Sequence, residues 1–402
     1  MDLLCFSHLR WDFVYQRPNH LMARAARRHR VFFVEEPIRD TTIPRLTTSR
    51  RDGVTVVVPH IAATDRDGEE RQLRLLLDEL VRGERLSHPV VWYYTPMALP
   101  WTRHIAATAR ATVYDCMDHL AGFLGAPDDL LDLEQELMAS ADLVFTGGAS
   151  LHSLKRRVHG AVHCFPSSVD TAHFGRARRA TPDPTDQRAI PRPRIGYFGV
   201  IDERLDLELI GEVAGRRPDW RLVMVGPVVK IDPDSLPEAS NIHYLGPKSY
   251  SELPDYLAGW DAAIMPFARN AATRYISPTK TPEYLAGGRP VASTSIHDVV
   301  NPYGEAGLVH VGDTPEEFEA AICRAIADDR EALCRRADAF LANQSWDRTW
   351  AQMEALVADT LAARRAPTIR RPAAAAAARQ ATSRSISSGV PAVSAASRRS
   401  EP

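Results

Sequence analysis

Cysteine is scarce in this chain, and the five residues, Cys5, Cys116, Cys164, Cys323 and Cys334, are odd in number and widely spaced, with no C-x-x-C pair. Neither a disulfide framework nor a zinc site follows from such a set, and buried thiols are the expectation. No apolar run is long enough to span a bilayer. The opening Met1-Asp2-Leu3-Leu4-Cys5-Phe6 goes straight into a strand pattern, without the basic region, apolar core and cleavage site of a secretory signal, so a cytoplasmic protein is expected. A net charge of −2 gives no drive toward nucleic acid. The first strand-loop lacks G-x-G-x-x-G, which disfavours an NAD-dependent oxidoreductase. The candidate cleft loops contain no D-x-D or histidine cluster, so neither a metal nor another cofactor is expected.

What is present suits two domains of ordinary size, because 402 residues can bury two cores. In the first half, short apolar runs (Leu3 to Phe6, Val31 to Glu35, Val54 to Val58, Val90 to Thr95, Thr112 to Cys116, Leu143 to Thr146, Val162 to Phe165) alternate with helical stretches such as Pro18 to Arg28, Gln72 to Val81 and Asp129 to Ala139. That alternation predicts a doubly wound, mostly parallel sheet, in which ligands meet the loops at the carboxyl ends of the strands. The first such loop, residues 7–20, is long and gathers His8, Arg10, Trp11, Arg17 and His20. Pro18 suits a first helical turn, which sets Gln16 and Arg17 at a helix N-terminus facing the cleft. The loop is equally well explained as one pinned by Trp11 and Tyr15 packing on the sheet. The fifth run ends in Asp115, Asp118 and His119, two carboxylates and an imidazole, although Asp118 can also be read as a helix cap. Basic patches at residues 24–30 and 155–157 read as solvated helix faces, with anionic lipid headgroups as a further partner.

Residues 176–193 are rich in proline and arginine and read as a linker. The second domain opens at Arg194, where a strand ends in Gly199 before a helix, a turn that lets backbone approach a phosphate. Its focus is residues 274–292. A helix starting near Ser277 or Thr279 and ending at Gly287-Gly288 turns its positive dipole end toward the loop, Lys280 adds a cation, and Glu283 shares its face. An anion such as a diphosphate, with a hydroxyl-bearing group at Glu283, suits this arrangement; a cap plus a surface ion pair is the plainer reading. Arg274 is close enough in sequence to act with Lys280. Helical periodicity continues at Glu316 to Asp328, Arg330 to Phe340 and Trp346 to Ala362. Residues 364–402 are Ala-, Ser- and Arg-rich and cannot bury a core, so disorder is expected there.

The segment 274–292, with Asn241 to Gly246 and Pro166 to Phe174 upstream, resembles the donor half of a GT-B glycosyltransferase of family 4, in a subgroup with Ser-Pro-Thr-Lys-Thr followed by Glu-Tyr-Leu-Ala that includes teichuronic-acid-type enzymes. The resemblance runs from about Met1 to Ala363. It implies two Rossmann-like α/β domains facing a central cleft: 1–175 on the acceptor side, 194–345 on the donor side, and 346–363 crossing back. It also implies a metal-independent, retaining hexosyltransferase of cell-envelope or exopolysaccharide synthesis, moving sugar from a nucleotide-diphosphate donor to a carbohydrate or lipid-linked acceptor. Gly199, Arg204, Gly246, Arg274, Ser277, Thr279, Lys280 and Glu283 would bind the donor. Arg204 also sits among acidic neighbours that could pair with it. Asp115 or Asp118 would bind sugar hydroxyls or accept the acceptor's proton, and His8, Arg10, Trp11 and Arg17 would close over the donor or hold the acceptor. Where family members carry the first glutamate of a pair, Tyr275 stands. A nucleotide-sugar epimerase using Asp115, Asp118 and His8, and a noncatalytic nucleotide-binding subunit, are the alternatives.

Overall fold

The computed structural model describes residues 1–179 and 182–365; the expected disordered tail from 364 lies almost wholly outside the described residues. Eight strands form the first sheet: β1 Asp2–Phe6, β2 Arg30–Val34, β3 Arg45–Arg51, β4 Val54–His60, β5 Val90–Tyr93, β6 Ala111–Cys116, β7 Leu143–Thr146 and β8 Val162–Cys164. Their order is β3-β4-β2-β1-β5-β6-β7-β8, with every pairing parallel except β3 on β4. The second sheet holds six parallel strands, β9 Arg194–Phe198, β10 Arg221–Val225, β11 Ile242–Gly246, β12 Ala262–Met265, β13 Val291–Ser293 and β14 Val309–Val311, in the order β11-β10-β9-β12-β13-β14.

Alternation along each strand builds the cores. In β1, Leu4 and Phe6 pack with Leu73, Leu77 and Trp101 on one face of the sheet, while Leu3 and Cys5 pack with Leu21 and Met22 on the other. This second face is completed from far along the chain. The Trp346–Arg365 helix lays Trp346, Trp350, Met353 and Val357 against it, and Trp346 stacks on His20 at 4.6 Å. Its outer side explains the first basic patch. Arg24 and Arg27 both bond to Asp347, and Arg28 and His29 reach Glu354, so these side chains hold the crossing helix. Lys155 of the second patch is buried against Glu134 at 2.6 Å. Arg24 and Lys155 are thus drawn into the fold, while Arg27, Arg28, Arg156 and Arg157 stay exposed, as expected of solvated faces.

Two further expectations change. Strand β3 had no signal, because Arg-Leu-Thr-Thr-Ser-Arg-Arg is an exposed edge with no apolar face; it forms because the Asp52-Gly53 turn, at φ values of 50° and 83°, folds it back on β4. The stretch 176–193 is more than a linker. Ala177, Gln187 and Ile190 are buried in the second half. Arg178 donates to the carbonyls of Leu285 and Ala286 and forks onto Asp338, satisfying the end of the helix that carries Lys280. No helix among the described residues is long and apolar enough to cross a membrane.

Candidate functional site

The loop after β1 and the β3–β4 turn in the first half face the carboxyl ends of β9, β10 and β11 and the Lys280–Ala286 helix in the second, around a cavity of about 340 Å³. Its floor is made of turns that need glycine. After β9, Gly199 has φ 140°, and a Cβ there would lie 2.1 Å from Cε of Lys280. After β10, Gly226 has φ 151°, and a Cβ would lie 1.8 Å from the Gly199 carbonyl oxygen. Two strand ends and a lysine therefore meet with bare backbone between them.

Lys280 opens its helix and Glu283 lies one turn on, as the sequence implied. Neither charged group has an ion-pair or hydrogen-bond partner among the described residues, although Glu283 is only 6% exposed. Burial pushes the Glu283 carboxyl up, with Lys280 opposing, and the same burial, with Arg204 nearby, pulls the Lys280 ammonium down. The Lys280 nitrogen lies 5.5 Å from the Tyr197 ring centre and 6.0 Å from that of Phe267. Arg204 also borders the cavity, and its guanidinium forks onto Asp202 at 2.7 to 3.1 Å and lies 5.5 Å from the centre of the Phe123 ring. The expected pairing of Arg204 with its acidic neighbours occurs, and it holds the cation in place facing the cleft.

A smaller cavity of about 80 Å³ continues past Lys280, sharing Gln16, Arg204, Thr279 and Lys280 with the first. Asp118, Ser277 and Thr279 line it, and burial raises the Asp118 carboxyl, opposed first by Arg204. The two cavities thus bring Gly199, Arg204, Lys280 and Glu283 together, with Asp118, Ser277 and Thr279 beyond them.

Other expected residues stand elsewhere. Asp115 is fully buried within β6, and Arg17 forks onto it at 2.8 to 3.3 Å while donating to the Phe165 carbonyl at 2.7 Å. A carboxylate so enclosed holds the fold and does not face a substrate; Arg17 touches the small cavity, but its donors are already engaged. Arg10 binds Glu35 at 3.0 Å and the Glu36 carbonyl at 2.7 Å and lines neither cavity. His8 also lines neither; burial, helped by Lys230, lowers its pKa to about 4. Trp11 borders the larger cavity but is 4% exposed and packs edge-on to Phe33, so the pinned-loop reading describes it. Arg274 turns away, its guanidinium 5.3 Å from the centre of the Tyr275 ring. Tyr275 lines neither cavity; it packs against the first half's core and His119, at 5.3 Å. Gly246 has φ 69° and turns the chain into Pro247, Lys248 and Ser249, which line the larger cavity in its place.

The sequence reading missed several lining groups. The Arg51-Asp52 turn borders the larger cavity without any signal in the sequence, whereas Phe13 and Tyr250, which also border it, lie in loops singled out from the sequence; Tyr250 stacks on His173 at 4.2 Å. The Val225-Gly226-Pro227 turn was readable as a strand ending in glycine, the same signal as at Gly199. A separate cavity of about 470 Å³ lies in the first half at the carboxyl ends of β1 and β2, bordered by Trp101, Leu73, Glu36 and Arg39.

Comparison with known proteins agrees with this architecture. Residues 192–328 match the family described as Glycosyl transferases group 1. A Bacillus subtilis (strain 168) protein provisionally named teichuronic acid biosynthesis glycosyltransferase TuaH is 25% identical over 300 residues, covering 70% of this chain and 75% of its own. Among solved structures, the sucrose-phosphate synthase of Thermosynechococcus elongatus superposes with a TM-score of 0.66 at 15% identity, covering 90% of this chain and 99% of that one. Anabaena Alr3699/HepE, in complex with UDP and glucose, gives 0.65 at 13% identity, with 89% and 100% covered. A trehalose-6-phosphate structure from E. coli bound with UDP-2-fluoro glucose gives 0.64 at 11% identity, with 90% and 99% covered. The chain has the GT-B fold, and the part of its second half at residues 192–328 is similar to the group 1 glycosyl transferases.

Proposed function

We propose that this protein is a metal-independent glycosyltransferase of family 4 that transfers a sugar, with retention, from a nucleotide-diphosphate donor to a carbohydrate or lipid-linked acceptor in cell-envelope or exopolysaccharide synthesis. The observation that carries this reading is a lysine and a glutamate, both without partners among the described residues, in a cavity floored by two positive-φ glycines. Unpartnered opposite charges in a sheltered cleft are poorly explained by stability and well explained by a ligand carrying both anionic and hydroxyl groups. The diphosphate would lie against Gly199 between Lys280 and Arg204, which stabilise the charge that builds as it leaves. Glu283 would accept hydrogen bonds from the ribose, and the Pro247-Lys248-Ser249 turn would cup the base.

In this reading the transferred sugar enters the small cavity beside Asp118 and Ser277, within reach of the acceptor's hydroxyl. Attack would come on the face the diphosphate leaves, with that group helping to take the acceptor's proton. The acceptor would occupy the 470 Å³ cavity, whose Trp101 and carboxylates suit the apolar face and hydroxyls of a sugar ring. With Asp115 and His8 away from the cavities, an epimerase would be left with Asp118 alone as its acid or base.

Calorimetry of UDP, GDP, TDP and ADP against the wild type and Glu283→Ala tests the donor assignment. One nucleotide should bind selectively, and the variant should bind it about tenfold or more weakly, the cost of losing a charge-assisted hydrogen bond. A transfer assay with the matching nucleotide sugar then separates a transferase from a binding subunit. Absence of binding to all four would sink the donor site.

A further inference from the structure

We propose that Asp298, on the second half, is a positioning residue that latches the two halves together beside the reacting end of the cleft. The Ala149–Lys155 helix of the first half begins at Gly148, which has no side chain to cap it, and no acidic residue stands in its first turn. Its exposed amides would ordinarily need such a partner. Asp298 supplies one from across the cleft: its Oδ1 accepts the Ser150 amide at 3.1 Å. That is the bond an N-cap side chain makes, delivered by a residue 148 positions away.

The site is shaped for this contact. A Cβ on Gly148 would lie 1.9 Å from Oδ2 of Asp298 and 2.7 Å from Cβ of Ser277, so only glycine admits the approach. Asp298 is 5% exposed, and its Oδ2 and the Ser150 hydroxyl are buried without partners among the described residues, where the carboxylate is held by the helix and by His297 at 3.0 Å. The adjacent Gly147 and Ser277 line the small cavity, and Ser167 donates to the Ser277 carbonyl at 2.8 Å, a second bond between the halves. Opening the cleft would strip the helix of its cap, and closing it would restore the cap and seat Ser277 together.

Hydrogen exchange on the full chain tests this without knowledge of the substrate. In Asp298→Ala, amides 149–151 should exchange about fivefold or more faster, as for a lost cap. The amides of 276, 277, 279 and 280, across the cleft, should speed up with them. Asp298→Asn keeps the accepting oxygen, so it should restore wild-type protection on both sides. Unchanged exchange at 149–151 in Asp298→Ala would overturn the proposal. A change confined to 149–151 would reduce Asp298 to a local cap and overturn the latch. Should Asp298→Ala fail to fold, Asp298→Asn still decides, because loss of protection there would mean that the charge, and not the cap, is what matters.

Discussion

At the scale of single residues, the charged groups of the first half divide between holding and facing. Arg17 and Asp115 are enclosed together, so Arg17→Leu leaves a carboxylate buried without its partner and should cost about 3–5 kcal/mol in urea unfolding. Arg17→Leu with Asp115→Leu should recover most of that loss. Two histidines make stability depend on pH. His8 and His20 are held neutral by burial, His8 down to about 4 with Lys230 adding to the effect, and His20 well below its usual value with Arg24 adding to it. The unfolded chain takes up protons near pH 6.5 where the folded one does not. Stability is therefore full above about pH 6.5 and falls as the pH drops toward about 4. His20→Gln should flatten that slope in urea titrations run at a series of pH values. Lys280 and Glu283 were legible because their spacing and flanking residues announce a helix start. Arg17 and Asp115 were not: their partnership spans 98 positions, and no local pattern records it. Arg274 misled for the opposite reason, since nearness in sequence to Lys280 said nothing of the ring beside it.

At the scale of elements, the floor of the larger cavity depends on two turns more than on the strands that feed them. Gly226→Ala would drive a methyl group into the Gly199 carbonyl, backbone that cannot swing aside, at a φ that alanine rarely adopts. It should lower stability by about 1–3 kcal/mol, read as a fall in melting temperature, and abolish nucleoside diphosphate binding. The parallel strands were readable because burial on both faces writes continuous apolar runs into them. The β3 edge was not, since its pairing is fixed by a turn and a neighbour while its side chains face water. The 176–193 stretch hid its role similarly, because Arg178 and Gln187 serve the fold through hydrogen bonds, which leave no periodicity.

At the scale of the whole molecule, the crossing helix is part of the first half's core. Trp350→Ala should cost about 3–5 kcal/mol, and a chain ending at 344 should lose cooperative unfolding in urea, because Trp346, Trp350, Met353 and Val357 leave together. The two-sheet architecture could be expected from the alternation of apolar and helical runs, and the return of the last helix from the family resemblance alone; the ion pairs that hold it, from Arg24, Arg27, Arg28 and His29, left no local signal.

That return has a consequence for how the protein is made. Chains usually fold from the N-terminus as they leave the ribosome. Here the sheet of the first half lacks part of one side of its core until the Trp346–Arg365 helix emerges, whereas the second half's core is drawn from one continuous stretch, 169–341. The part translated later can fold on its own first, and the earlier part must wait, with Trp92 still uncovered on that side, until residues 346–357 have been made.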